Sequence, residues 1–552
     1  MSEQAAPTTW NAVGRHLPSA NAMLAVVLVL AFAMRARVLT IPLGRDEGVY
    51  ATIGWSILEG IPLYTGPVDL QMPGLWILYA GFMALFGTTS TAIHAGLLLA
   101  NLASIVLVFL LGRRLLDPAG GVIAAAGFAA LSLTQRMLGF TANAEHFILV
   151  FALGGAVLLL RALDSGRRRE FFLAGLVAGL AFMVKQQGVF FTGFVGAYAL
   201  YASMCSGVGS RRSNLSNLAL VAAGTLTPIA CFCLWFAVNG VFDEFFFWAF
   251  RYSATYGTGT SLEDSLGFLR QNALPILPHT AFYCGLAAVG LFAGLREPGG
   301  AKRDPARTVF LVGFGFFSAL AVVPGLHFRH HYFLLMVPAV ALLNAAAAAA
   351  VLRRIGSGRS QATLAAAGLS LLALAQWAIP QSGYLFRFSP DEIARNTYRN
   401  TPVVELAAVA EKIASHSESD DALLVMGSEP QLYLYARRRP ASSLIVMYPM
   451  MWAPPAMALG LQRRTIREIE AAVPKFVVVV VTASSWARRV ESERLILDWF
   501  NAYETNYRKV GAVEMDYPRP SRYFWGAEAR TFVPGTRSYL WLLERLPGEA
   551  SE

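Results

Sequence analysis

Two adjacent carboxylates, Asp46-Glu47, stand in the run Gly44-Arg45-Asp46-Glu47-Gly48. The chain around them is 55% hydrophobic and 14% charged. Ionisable side chains at or within a membrane cost stability, and mark function by default. A positioned carboxylate can take a proton from a hydroxyl, a general-base step. A second acid, Glu145, is followed by His146. The run Arg329-His330-His331-Tyr332 gathers three potentially cationic groups, which suit an anion such as a phosphate, or a polar collar at headgroup level. Lys185, followed by two glutamines, either reaches to the interface or contacts the same anion.

These residues need a scaffold, and the 552-residue chain, with a mean hydropathy of +0.49, reads as a polytopic membrane protein. A span needs roughly 20 apolar residues. Eleven candidates are 21–36, 91–112, 118–135, 146–163, 170–185, 187–205, 217–238, 273–295, 307–326, 332–352 and 362–380. The fifth and sixth form one long stretch split at Lys185-Gln186-Gln187-Gly188. Segment 73–87 is short, opens with Pro73-Gly74, and is expected to lie on or re-enter the membrane surface. The alanine run 345–350 suits close helix packing.

The net charge of +10 follows orientation rather than a nucleic-acid partner. Arg113-Arg114, Arg167-Arg168-Arg169, Arg211-Arg212, residues 296–307 and Arg353-Arg354 fall in every second loop, the positive-inside pattern. It places Met1 in the cytoplasm and the tail outside. Arg35, Arg37 and Arg45 break the rule on the outer side, as headgroup anchors or as ligands of an anion. The first apolar segment reads as a retained signal anchor. Cys205, Cys231, Cys233 and Cys284 lie in or beside spans and show no disulfide or metal spacing.

Composition shifts near residue 381, giving a membrane domain, 1–380, and a soluble α/β domain, 381–552. Runs 423–426, 443–447 and 476–481 read as buried strands, with 510–515 and 539–543 completing a sheet. Stretches 402–415, 463–472 and 486–501 read as helices. The first external loop, 37–90, is long and turn-rich, and 48–58 is expected to be helical with Asp46-Glu47 just before its start. A carboxylate there can be a plain helix cap.

The order of these motifs resembles the GT-C superfamily of polyprenyl-phosphate-sugar glycosyltransferases, nearest to glycosyltransferase family 39, the protein O-mannosyltransferases and the lipid A aminoarabinose transferases. Asp46-Glu47 and Glu59-Gly60-Ile61-Pro62-Leu63-Tyr64 match the family's first loop. Gln71-Met72-Pro73-Gly74 departs from its Lys-Pro-Pro-like segment at the lysine and the first proline. Thr141-Ala142-Asn143-Ala144-Glu145, the His-Tyr element at His331-Tyr332, and residues 421–427 and 431–438 resemble later family motifs.

The resemblance implies an inner-membrane, inverting glycosyltransferase of GT-C architecture with a periplasmic α/β domain. It would pass a sugar from a polyprenyl-phosphate donor to a lipopolysaccharide, another glycan or a protein. Asp46 would be the base, with Glu47 orienting it or binding acceptor or a cation. Arg45, Tyr64, Glu145, His146, Lys185, Arg329, His330, His331 and Tyr332 would bind substrate. A divalent cation held by Asp46 and Glu145 stays open. Arg251, Tyr252 and Tyr256 stand in the 239–272 loop, as interfacial aromatics or as a sugar-stacking cover. The rival reading is a transporter or flippase of lipid-linked sugars, which would more often show two similar halves; no internal repeat is visible.

Overall fold

The computed structural model describes residues 19–205, 211–258, 260–296, 305–354 and 359–547. Met1, most of the basic 296–307 segment and the side chains of Tyr256, Arg353 and Arg354 lie outside that description. The membrane part begins with α1 (Ala20–Ala36), α2 (Arg45–Leu58), α3 (Pro73–Phe86), α4 (Ser90–Leu115) and α5 (Pro118–Leu131). It continues with α6 (Ala144–Ser165), α7 (Arg168–Val184), α8 (Gly188–Cys205) and α9 (Arg211–Val238). Further long helices follow at Leu262–Ala273, Leu277–Arg296, Pro305–Val322, Val337–Arg354 and Arg359–Ala378.

Each of the eleven apolar stretches is thus largely helical, but among the described residues six helices are by themselves long and apolar enough to cross a membrane. A seventh span is formed if Leu262–Ala273 and Leu277–Ala293, bent by 96°, are taken together. α1, α3 and α5 are apolar but short. At 1.5 Å per residue, the 17 residues of α1 reach about 26 Å, under the roughly 30 Å of a hydrocarbon core.

Local chemistry sets the helix ends. Ser19, Thr89 and Asp117 accept the amides of Ala22, Ala92 and Gly120. Lys185-Gln186-Gln187 is the break between α7 and α8. Inside the bundle α7 packs on α9 so closely that a Cβ on Gly175 would lie 2.0 Å from the Val221 carbonyl oxygen, the small-residue approach that membrane helices favour. The segment at 73–87 is α3, whose Leu75, Trp76 and Tyr79 are completely buried against the rest of the protein while Ile77, Leu85 and Phe86 are exposed.

The C-terminal part is a six-stranded mixed sheet of β1 (Ala422–Met426), β2 (Arg439–Pro440), β3 (Phe476–Val481), β4 (Tyr507–Glu514), β5 (Arg522–Trp525) and β6 (Tyr539–Arg545). Its order is β2-β1-β3-β6-β4-β5. β1 pairs in parallel with β2 and β3, and the remaining pairs are antiparallel. The helices expected at 402–415 and 463–472 occur as Leu406–Ala414 and Pro455–Ala472. That at 486–501 is shorter, Leu495–Tyr503.

The expected strand at 443–447 is not one. That segment is buried and irregular, with a single parallel bridge between Leu444 and Val68. Its Ser443 carbonyl accepts the Val68 amide at 3.0 Å, so its backbone serves the first loop instead of the sheet.

Candidate active site

The α2 helix starts earlier than the sequence suggested, at Arg45, so both acids lie in its first turn. Gly44 is the N-cap, and Glu47 Oε2 turns back to accept its amide at 2.8 Å. The capping role considered for Asp46 is therefore filled by Glu47. Glu47 Oε1 accepts the Ala142 amide at 2.6 Å and lies 2.9 Å from His94 Nε2. His94 Nδ1 faces the Leu39 carbonyl at 3.0 Å. Both imidazole nitrogens thus face oxygen atoms of other segments. Glu47 is buried with both oxygens engaged.

Asp46 is the opposite case. It is exposed, and among the described residues its carboxylate forms no hydrogen bond or ion pair. Its charge nevertheless acts on Asp69, Lys185 and His331. Those three groups come from the loop before α3, the end of α7 and the turn before Val337–Arg354, so the fold brings distant motifs within electrostatic reach of one carboxylate.

Glu145 sits in the first turn of α6, fully buried, and its Oε1 receives the Lys185 ammonium at 2.7 Å. Among the described residues its Oε2 has no hydrogen-bond partner. Lys185 is itself buried and lies 4.6 Å from the centre of the Tyr332 ring. Reaching out to the interface is thereby replaced by an inward ion pair, because Glu145 offers a fixed counter-charge. His331 and Tyr332 are buried beside this pair, whereas Arg329 is exposed and His330 half-buried. His146 is buried, with an unpartnered Nε2.

Two residues expected to bind substrate have partners within the protein. Tyr64 is buried against Trp76, Phe236 and Phe245, edge to face, so its ring builds the loop's aromatic core. Arg45 donates to the Ser428 carbonyl and the Tyr448 hydroxyl, and its second terminal nitrogen meets Glu429 Oε1 at 2.8 Å. Burial works against its charge, but Glu429, Tyr448 and Asp46 together raise its pKa. Arg45 is a tether to the C-terminal domain.

The other two outer arginines behave alike. Arg35 is buried and donates to the carbonyls of Gly139 and Ser132 at 2.9 and 3.0 Å. Arg37 donates to those of Tyr384, Leu385 and Phe388. Neither is a headgroup anchor; both saturate carbonyls that irregular backbone leaves free. Arg35 holds the 132–139 turn, which leads to the Ala142 amide on Glu47.

Asp69 and His94 were not singled out from the sequence. A lone histidine entering an apolar run is a visible signal for the second; a single acid in a turn is not. Crowding by protein raises the Asp69 carboxyl to about 6, with the Asp46 charge adding to it and Lys185 opposing it. Asp69 is thus neutral below pH ~6 and ionised above it, where it adds a second negative charge close to Asp46 and Lys185. Turnover divided by KM is expected to rise through pH ~6, and Asp69→Asn to flatten that limb. An identical profile in the variant would remove Asp69 from the site.

Among the described residues no group of three or more His, Cys, Asp or Glu could hold a metal ion. Glu145 spends one oxygen on Lys185.

Residues 72–236 match the family described as dolichyl-phosphate-mannose-protein mannosyltransferase. The undecaprenyl phosphate-alpha-4-amino-4-deoxy-L-arabinose arabinosyl transferases of Pseudomonas aeruginosa strains UCBPP-PA14 and PAO1 are 30% identical over 151 residues. That match covers 25% of this chain and 27% of each relative, so the chain matches about a quarter of their length. The structure of ArnT from Cupriavidus metallidurans bound to undecaprenyl phosphate superposes with a TM-score of 0.56 at 16% identity, covering 98% of this chain and 99% of that one. The oligosaccharyltransferase AglB from Archaeoglobus fulgidus, in complex with an inhibitory peptide and a dolichol-phosphate, gives 0.55 at 13%, covering 95% and 76%. The chain is a multi-pass membrane protein whose fold is similar to that of ArnT from Cupriavidus metallidurans.

Proposed function

We propose that this chain is a lipid-linked-sugar glycosyltransferase, EC 2.4 class, that moves a sugar from a polyprenyl phosphate to an extracytoplasmic hydroxyl with inversion. The observation that carries the reading is the division of labour at α2. Glu47 takes the cap and the His94 contact, leaving Asp46 with a free carboxylate beside Lys185, Glu145 and His331. Asp46 removes the acceptor proton as the new bond to the anomeric carbon forms. The bond from that carbon to the phosphate oxygen breaks on the opposite face, and the phosphate leaves with the electron pair. Lys185, His331 and Arg329 stabilise its charge. Eleven helices cross the bacterial inner membrane, with the N-terminus cytoplasmic and residues 381–552 in the periplasm. The acceptor is a glycan, glycolipid or protein.

Lys185 also answers the departure at Gln71. Gln186 donates to the Leu70 carbonyl at 2.8 Å, so the 185–187 turn lies against the position where the family carries its lysine. Lys185→Met is expected to weaken polyprenyl-phosphate binding about tenfold, or 1.4 kcal/mol, and adding Gln71→Lys to restore part of it. Unchanged binding in Lys185→Met would remove Lys185 from the donor site.

The function is tested with purified protein, a panel of polyprenyl-phosphate sugars and a membrane extract as acceptor. Release of polyprenyl phosphate with the sugar appearing in the extract supports transfer. Movement of the intact donor across vesicles without release would replace it with transport.

A further inference from the structure

The two faces of the C-terminal sheet are covered unequally. In β3, Val478 and Val480 are completely buried, whereas Val479 and Val481 on the other face are partly exposed. Their cross-strand partners are Trp541 and Tyr539 of β6. Together with the Leu495–Tyr503 helix and the residues flanking it, this face encloses a cleft of about 520 Å³, within the roughly 300–1,000 Å³ of small-molecule sites. Trp486, Tyr539 and Trp541 supply aromatic walls, and Asn501, Glu504 and Lys509 supply polar ones.

The polar set is unspent. Among the described residues the side chains of Asn501, Glu504 and Lys509 make no hydrogen bond or ion pair, while the Lys509 ammonium stands 3.8 Å from the Trp541 ring centre. A lipid tail or an apolar helix would bury these three groups unpaired, which costs free energy. A polyanion would meet Glu504. A sugar chain meets neither objection, since a pyranose offers an apolar C–H face to an aromatic ring and hydroxyls around its edge. Those hydroxyls donate to Glu504, accept from Lys509 and do both with Asn501.

We infer that this cleft binds a saccharide, as a second sugar site apart from the Asp46 cavity. The two are separated in the fold: α2 docks on residues that follow β1, whereas the cleft lies over β3, β6 and β4. Its assignment as the sugar part of acceptor or product rests on the glycosyl-transfer reading above.

The test uses the full chain in a detergent without a sugar headgroup, with saturation-transfer NMR read on sugar ring protons. The probes are the core oligosaccharide released from lipopolysaccharide by mild acid, and maltohexaose. Saturation transfer to at least one probe is expected, persisting in Asp46→Asn and falling at least fivefold in Asn501→Ala/Glu504→Ala at unchanged melting temperature. No transfer to either probe, or equal transfer in the double variant, overturns the cleft. Loss in Asp46→Asn alone would place the sugar in the Asp46 cavity and also overturn it. Polyprenyl phosphate release is scored separately: release without saccharide binding sinks the cleft alone, and binding without release sinks the transferase reading alone.

Discussion

Asp46→Asn is expected to lower turnover by about 10²–10⁴-fold, the usual worth of a positioned general base, while leaving the protein's melting temperature unchanged. The two halves of that expectation come from one arrangement. Asp46 has no hydrogen-bond or ion-pair partner in the described residues, so the isosteric amide strands nothing. It still removes the carboxylate whose charge reaches Lys185 and His331. Glu47→Gln makes the contrast: its carboxylate holds the Gly44 and Ala142 amides and His94. An amide there can turn only one oxygen to these donors, so the loss appears in stability as well as rate. Measured together, turnover and melting temperature separate a base from a cap. An Asp46→Asn enzyme as fast as wild type would move the base elsewhere in the cavity.

How much of this was readable in advance depended on whether a residue's partner is local. β3 was legible to its ends because 476–481 is an unbroken apolar run after Pro474-Lys475. The run at 443–447 looks the same but is irregular, since what decides it is Val68, nearly 400 residues away. The α7–α8 break was visible in Lys185-Gln186-Gln187; the Glu145 carboxylate that turns Lys185 inward was not. Arg35, Arg37 and Arg45 declared themselves as misplaced charges. Their real partners are backbone carbonyls and a glutamate in other segments, and a carbonyl has no sequence signature. Asp46-Glu47 stood out as a pair, but the pair's split into free acid and cap is a matter of which oxygen meets which amide.

The second large effect lies outside the cavity. Glu429→Ala is expected to destabilise the protein by roughly 3–5 kcal/mol, the cost of leaving one partner of a buried ion pair behind. Glu429 is completely buried and the Arg45 side chain is 17% exposed. Glu429 Oε1 takes Arg45, and Oε2 accepts from the Ser428 amide at 2.8 Å and the Ser485 hydroxyl at 2.6 Å. Alanine thus takes the counter-charge from a guanidinium and the acceptor from the Ser485 hydroxyl at once, while the Ser428 amide keeps its bond to Ser485 Oγ. The same contact seats the first turn of α2. Thr52 donates to the Pro430 carbonyl at 2.8 Å, and a Cβ on Gly48 would come within 2.6 Å of the Gln431 amide nitrogen. With the seat loosened, Asp46 moves with the helix, so activity should fall along with stability. Arg45→Ala/Glu429→Ala removes both charges and should cost less than the sum of the single changes, by an amount that measures their coupling. Denaturant unfolding of the purified proteins gives all four corners of that cycle. Strict additivity, or a Glu429→Ala protein as stable as wild type, would mean that the C-terminal domain does not hold α2 through this pair.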